Sequence, residues 1–226
     1  MIAMKTLGGA LVATAALAIS AGSAMALELP DIHITLGEAF PLIAEGSSKG
    51  ASFFETELGT KVTDEEVRVK LEVTALGSGG TGTVDLIGVK LGTAPCSTEG
   101  DKEGTVLISG EFHLVYIKKE PLEIGVLLSY TPFAAVCGKI KVKMSGSLLG
   151  HVNAKLNQEI TELGVSFHCK AKAKGKQELS SYFNDAGEEV AKQLLLANFG
   201  LGNENGCKEI AEEVKGKANK MAEIVA

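Results

Sequence analysis

Between Val67 and Ala75 the chain alternates strictly. Val67, Val69, Leu71, Val73 and Ala75 fall on one side, and Arg68, Lys70, Glu72 and Thr74 on the other. A period of two is the repeat of a pleated strand with one buried and one wet face. The same repeat returns at Gly164–Ala173, where Val165, Phe167, Cys169 and Ala171 alternate with Ser166, His168, Lys170 and Lys172. Gly77–Gly82 is rich in Gly, Ser and Thr and reads as a turn, joining Val67–Ala75 to a partner strand at Thr83–Leu91. Leu122–Tyr130 is apolar almost throughout, the pattern of a strand covered on both faces.

Further strand-like runs lie at Asp31–Leu36, Thr105–Ile117, Phe133–Cys137 and Lys139–Ser145, with a polar loop at Ser97–Gly104. Asn184-Asp-Ala-Gly187 reads as a hairpin turn between Gln177–Phe183 and Glu188–Ala197. Ile210, Val214, Met221 and Ile224 recur at helical spacing with Glu and Lys between them, which predicts a C-terminal helix; a strand pair is the competing reading. The expected class is therefore mostly β: an antiparallel β-sandwich or open barrel of about ten strands with a C-terminal helix. No run of alternating helices supports a doubly wound sheet.

The N-terminus sets the compartment. Lys5 is followed by the apolar run Leu7–Ile19 and then by small residues, with Ala24 and Ala26 placed as an A-x-A cleavage site. A positive start, a short apolar stretch and small residues before the cut make a secretory signal over residues 1–26. The apolar run is shorter than the ~20 residues of a spanning helix, and no later run reaches that length. The expected mature chain, 27–226, is a single secreted β domain, with 169–226 as a candidate small C-terminal subdomain.

Cys96, Cys137, Cys169 and Cys207 all lie in that part. Four cysteines in an exported chain read as two disulfides with three connectivities, of which the sequential pairing is favoured. A zinc site finds no C-x-x-C pair to build on. Loss of Lys5 with residues 1–26 takes the net charge from -6 to -7, and Arg68 is the sole arginine. An acidic chain without clustered Arg and Lys is poorly suited to nucleic acid.

Three stretches taken together, Cys96-Ser-Thr-Glu-Gly-Asp101, Gly110-Glu-Phe-His-Leu-Val-Tyr116, and Gly175-Lys-Gln-Glu with Asn198-Phe-Gly-Leu-Gly202, resemble a group of uncharacterised secreted proteins from high-GC Gram-positive bacteria. The resemblance implies export and a β fold and carries no functional residue across.

Motifs with chemical content are few. Glu99, Asp101 and Glu103 followed by Gly104 echo the first half of a calcium loop, but the twelfth position is Gly110 and Glu111 misses it by one; a solvated acidic turn is the alternative. Glu111 and His113, two apart on a strand, share a face and are the seed of a polar acid–base site, against the alternative of an exposed polar face. His33, His151 and His168 are scattered. Lys139-Ile-Lys-Val-Lys143 and Lys170-Ala-Lys-Ala-Lys-Gly-Lys176 make basic stripes suited to an anionic envelope polymer or lipid headgroup, or simply to keeping strand edges apart. No nucleophile elbow, phosphate loop, metal site or cofactor motif is present.

The leading expectation is a non-enzymatic extracellular or cell-wall protein with a structural or adhesive role. The runner-up is a binding module for a lipid or other apolar ligand, and an envelope hydrolase using Glu111 and His113 comes third.

Overall fold

A computed structural model describes residues 27–34, 39–210 and 212–225. The signal-peptide expectation, with Lys5, Ala24 and Ala26, lies outside them. Among the described residues fifteen strands are formed. The first half of the chain supplies β1 (Asp31–Ile34), β2 (Leu42–Thr56), β3 (Lys61–Val73), β4 (Gly79–Ile87), β5 (Lys90–Leu91), β6 (Ala94–Thr98) and β7 (Thr105–Lys119). The second half supplies β8 (Leu122–Cys137), β9 (Ile140–Asn153), β10 (Glu159–Ser166), β11 (Ser181–Phe183), β12 (Glu189–Ala191), β13 (Leu195–Asn198), β14 (Asn203–Glu209) and β15 (Val214–Val225).

All pairings are antiparallel, and the ladder closes on itself twice. One ring runs β2–β3–β4–β7–β8–β9–β10–β15 and back to β2. The other runs β2–β3–β5–β6–β8–β9–β13–β14 and back to β2. The long strands β2, β3, β8 and β9 belong to both, so the two rings are the upper and lower halves of one eight-stranded barrel. Of the two architectures the sequence left open, the register selects the barrel, and the barrel is closed. The strand number exceeds ten because pieces as short as β5 (Lys90–Leu91) carry no periodic signal.

The β2–β15 seam depends on one glycine. Gly46 lies opposite Gly216, and a Cβ on Gly46 would come within 2.7 Å of the Gly216 Cα and of the Lys215 carbonyl oxygen. The two backbones therefore meet more closely here than any other residue at 46 would permit.

The expected C-terminal helix is not formed. Residues 214–225 are β15, with Val214, Ala222 and Ile224 buried and Met221 exposed. The helical spacing of Ile210, Val214, Met221 and Ile224 was misleading because the inward positions of β15 include Gly216 and Ala218, too small to show a period of two. The tertiary context decides it: β15 satisfies backbone groups of β1, β2 and β10 at once, which a helix would leave bare. The candidate subdomain 169–226 supplies β13, β14 and β15 to the two rings.

The strand expected at Gly164–Ala173 stops at Ser166, where β10 ends. Residues 170–176 coil into consecutive turns, with Ala173 N donating to Lys170 O and Lys176 N to Ala173 O. Lys172 sits there at a φ of 64°, so this lysine run is a loop and not a strand stripe. Pro132 lies within β8 at a register shift between Tyr130 and Phe133, where a missing N–H costs no ladder bond.

Both expected disulfides are present, Cys96–Cys137 and Cys169–Cys207, with separations of 41 and 38 residues. Each contributes roughly 4 kcal/mol in the chain-entropy model. The first clips β6 to β8. The second ties the loop after β10 onto β14, where that loop fills the gap between the rings: Ile210 N donates to Phe167 O.

The seam sets a matched pair of substitutions. Gly46→Ala drives a Cβ into backbone and is expected to lower stability by about 2 kcal/mol. Gly216→Ala meets nothing closer than 3.4 Å and is expected to stay within about 0.5 kcal/mol of the parent. Urea denaturation midpoints of the two variants measure the difference.

Candidate functional site

Alternation around a closed ring turns one face of every strand inward, and those faces carry Val, Leu, Ile and Phe. They do not fill the space. The wall includes residues with little or no side chain, Ala44 and Gly46 on β2 and Gly216 on β15. A cavity of about 110 Å³ remains, against the ~10–15 Å³ one water needs. A second space of about 50 Å³ lies towards the β1 end and shares Ala44, Leu71, Val126, Leu163 and Val165 with the first. The walls of both are apolar.

Few polar groups face this interior. Asp64, Lys208 and Ser52 form one buried cluster: the Lys208 Nζ donates to Asp64 Oδ2 and, at 2.9 Å, to Ser52 Oγ, and the Ser52 hydroxyl donates to Asp64 Oδ1. Asp64 reaches the inside through an irregularity. The β2–β3 register shifts between Lys49 and Ser52, and across it β3 changes phase, so that Asp64 and Val67 both line the cavity. Lys208 is held by a side chain acting as a strand. Its N–H donates to Gln177 Oε1 at 3.1 Å, and Gln177 Nε2 donates to the Lys208 carbonyl at 3.2 Å. Burial pushes the Lys208 ammonium down, and the Asp64 carboxylate pulls the other way.

Two further groups have no protein partner. Tyr130 lies deep in the molecule, burial pushes its phenol up, and the surface it retains faces the cavity. Its hydroxyl takes part in none of the hydrogen bonds among the described residues. Glu204, opposite the fully buried Ala197, has one buried carboxylate oxygen without a hydrogen bond. A buried polar atom of this kind calls for a reason.

The sequence-predicted polar residues lie elsewhere. Glu111 and His113 do share a face of β7, as read, but it is the outer one; both are exposed, beside Thr81 and Gly79 on β4. Glu99, Asp101 and Glu103 are exposed on a turn where the Thr98 hydroxyl donates to Asp101. No group of three His, Cys, Asp or Glu converges as a metal site among the described residues. His168 Nδ1 lies 3.1 Å from Glu209 Oε1, whose other oxygen accepts from the Cys169 N–H. Asp64, Lys208, Tyr130 and Glu204 were missed because extending the β3 alternation backwards puts Asp64 on the wet face, and nothing local marks the other three as inward.

Lys192 is a second buried lysine, outside the barrel wall. Its Nζ donates to Ser147 O at 2.9 Å and Gln193 O at 3.3 Å. Burial lowers its pKa to about 8.

Comparison with family models, with curated proteins and with solved structures finds no significant match to this chain.

Two predictions follow from the buried lysines. Asp64→Leu strands the Lys208 charge and is expected to cost about 3–5 kcal/mol, whereas Asp64→Leu with Lys208→Met recovers most of it; a double-mutant cycle in urea reads both. Lys192 has its folded pKa below that of the unfolded chain, so the unfolded state binds more protons between about pH 8 and 10.5. Stability contributed by this group is therefore full above 10.5 and lost as pH falls through 8. Raising the pH from 7 to 10 is expected to stabilise the parent relative to Lys192→Met by on the order of 1 kcal/mol, after allowance for solvent screening.

Proposed function

We propose that this protein is a binding module that carries an uncharged apolar molecule, of lipid type, inside its barrel in an extracytoplasmic compartment. The observation that carries this reading is the apolar cavity within a closed wall. A protein with a purely structural role has no use for it, since voids in a core cost stability. Apolar cavities of this size stay dry and accept apolar guests, and barrel interiors are a recurrent place for small ligands.

The polar groups argue for the absence of charge on the guest. Lys208 is already neutralised by Asp64, so a carboxylate entering the cavity finds no free cation. The Tyr130 hydroxyl offers a hydrogen bond to a carbonyl, ester or alcohol oxygen. The two disulfides fit an oxidising compartment. The outer wall fits water: Glu45, Arg68, Lys70, Asp85 and Lys217 surround one face of it, where a barrel crossing a membrane presents an apolar band. Among the described residues no helix is long and apolar enough to cross a membrane.

The test is a cavity-filling substitution. Ala44→Phe, at the wall shared by both spaces, is expected to weaken binding of a solvatochromic apolar dye roughly tenfold or more while leaving the thermal midpoint unchanged or raised, because the void absorbs the ring. In a filled core the same change would cost about 1–3 kcal/mol. The chain has no Trp, so dye emission is read without a tryptophan background. Native mass spectrometry of the exported protein, showing extra mass that Ala44→Phe removes, would identify the guest. A parent protein that binds neither dye nor guest would overturn the reading.

A further inference from the structure

The lower end of the barrel is a ring of four hairpin turns: Glu57–Thr60 between β2 and β3, Gly92–Thr93 between β5 and β6, Gly138–Lys139 between β8 and β9, and Phe199–Gly202 between β13 and β14. The first lies against the hairpin of the fourth, since Glu57 N donates to Asn205 O of β14 at 3.0 Å. Each of these two carries a leucine at its tip, Leu58 with 77% of its surface exposed and Leu201 with 96%. The third hairpin adds Val136 and Ile140, both exposed. Large apolar side chains held out on adjacent turns have no intramolecular use.

Lysines encircle them. Lys139, Lys141 and Lys143 run along the start of β9, all exposed, with Lys143 opposite Asn198 beside the Leu201 turn. The Lys174 ammonium lies over Gly59. Lys61 follows the Leu58 turn, its ammonium 3.3 Å from the centre of the Phe53 ring. Glu55, Glu57 and Glu204 are the acids nearest the two tips, and Glu57 is bonded to Asn205. The opposite end also exposes Leu76 and Leu122, but there Lys118, Lys119 and Lys155 are matched by Glu120, Glu123 and Glu159, with Lys118 paired to Glu123. The lower end carries an excess of lysine beside its exposed leucines, in a protein of net charge -6.

We infer that the lower end docks on an anionic phospholipid membrane, with Leu58 and Leu201 entering the headgroup region and Lys139, Lys141, Lys143, Lys61 and Lys174 facing the lipid phosphates. Apolar side chains that insert and cations that stay at headgroup level are the two parts of interfacial binding. The cavity lining reaches Val62, Cys96 and Cys137, within a few residues of these tips, so the docked end is also the one next to the lower part of the cavity. The docking surface itself stands apart from whatever the barrel carries.

Co-sedimentation with vesicles tests this, using exported protein with phosphatidylcholine vesicles alone or containing phosphatidylglycerol. The parent is expected to bind the anionic vesicles and to release as salt rises. Leu58→Ser and Leu201→Ser are each expected to weaken binding roughly tenfold, and Lys139→Glu with Lys141→Glu and Lys143→Glu by roughly a hundredfold or more. Leu76→Ser, at the opposite end, should leave it unchanged, as should Ala44→Phe. All the substituted lysine and leucine positions are exposed, so the fold is retained. Absence of binding to anionic vesicles, or equal effects of Leu76→Ser and Leu58→Ser, would overturn the inference. So would binding that depends on the lysines but not the leucines, which would mark a site for a soluble polyanion instead.

Discussion

Backbone hydrogen bonding closed into a ring is the constraint on which the rest of this molecule depends. A sheet of fifteen strands laid out flat would present two unpaired edges, each a template for association. Here β2 ends that problem twice, by accepting β15 along Ala44–Ser47 and β14 along Phe53–Thr56. Both closures are local matters of space. At the upper one Gly46 lets the backbones approach. At the lower one Gly206 makes room for the Phe54 ring, which a Cβ would strike at 2.1 Å. Where neither ring supplies a strand to β14, the Gln177 amide takes the place of a backbone partner, and the Cys169–Cys207 bridge keeps the loop that bears it in position.

Closure also decides what the interior is. Once eight strands form a ring, its width follows from strand number and tilt, and side chains must fill whatever remains. The inward set includes Ala44, Gly46 and Gly216 beside the β2–β15 seam, and these fall short. A void lined by Val, Leu and Phe is left, with one self-neutralised ion pair and one phenol to define it. A buried ion pair is weak evidence for stability. Its consequence in this barrel is chemical: it neutralises Lys208, the one cation lining the cavity among the described residues, which is why the proposed guest is uncharged.

Much of the architecture could be read from the residues. The alternation at Val67–Val73 is the inward and outward partition of β3, the Asn184–Gly187 turn joins β11 to β12 as a hairpin, and the four cysteines pair in sequence order. The errors fall where the local pattern is silent or borrowed. Small residues at Gly216 and Ala218 hid the period of β15. A continuous run of lysine and alanine after Cys169 imitated a strand that has no partner to pair with. Asp64 sits beyond a register shift that reverses the phase of β3, so no reading of its neighbours could place it inside.

The sequence by itself determined the class of element, the turns and the covalent staples, because those follow from periods of two, from glycine-bearing turn stretches and from the number of thiols, each decided within a few residues. Only the tertiary structure decided that the sheet closes, that its interior is left partly empty, and that Leu58 and Leu201 stand beside the same lysines. Each of these depends on which distant strands pair, and in what register, and the pairing energy of a ladder is spread over backbone groups that every residue shares.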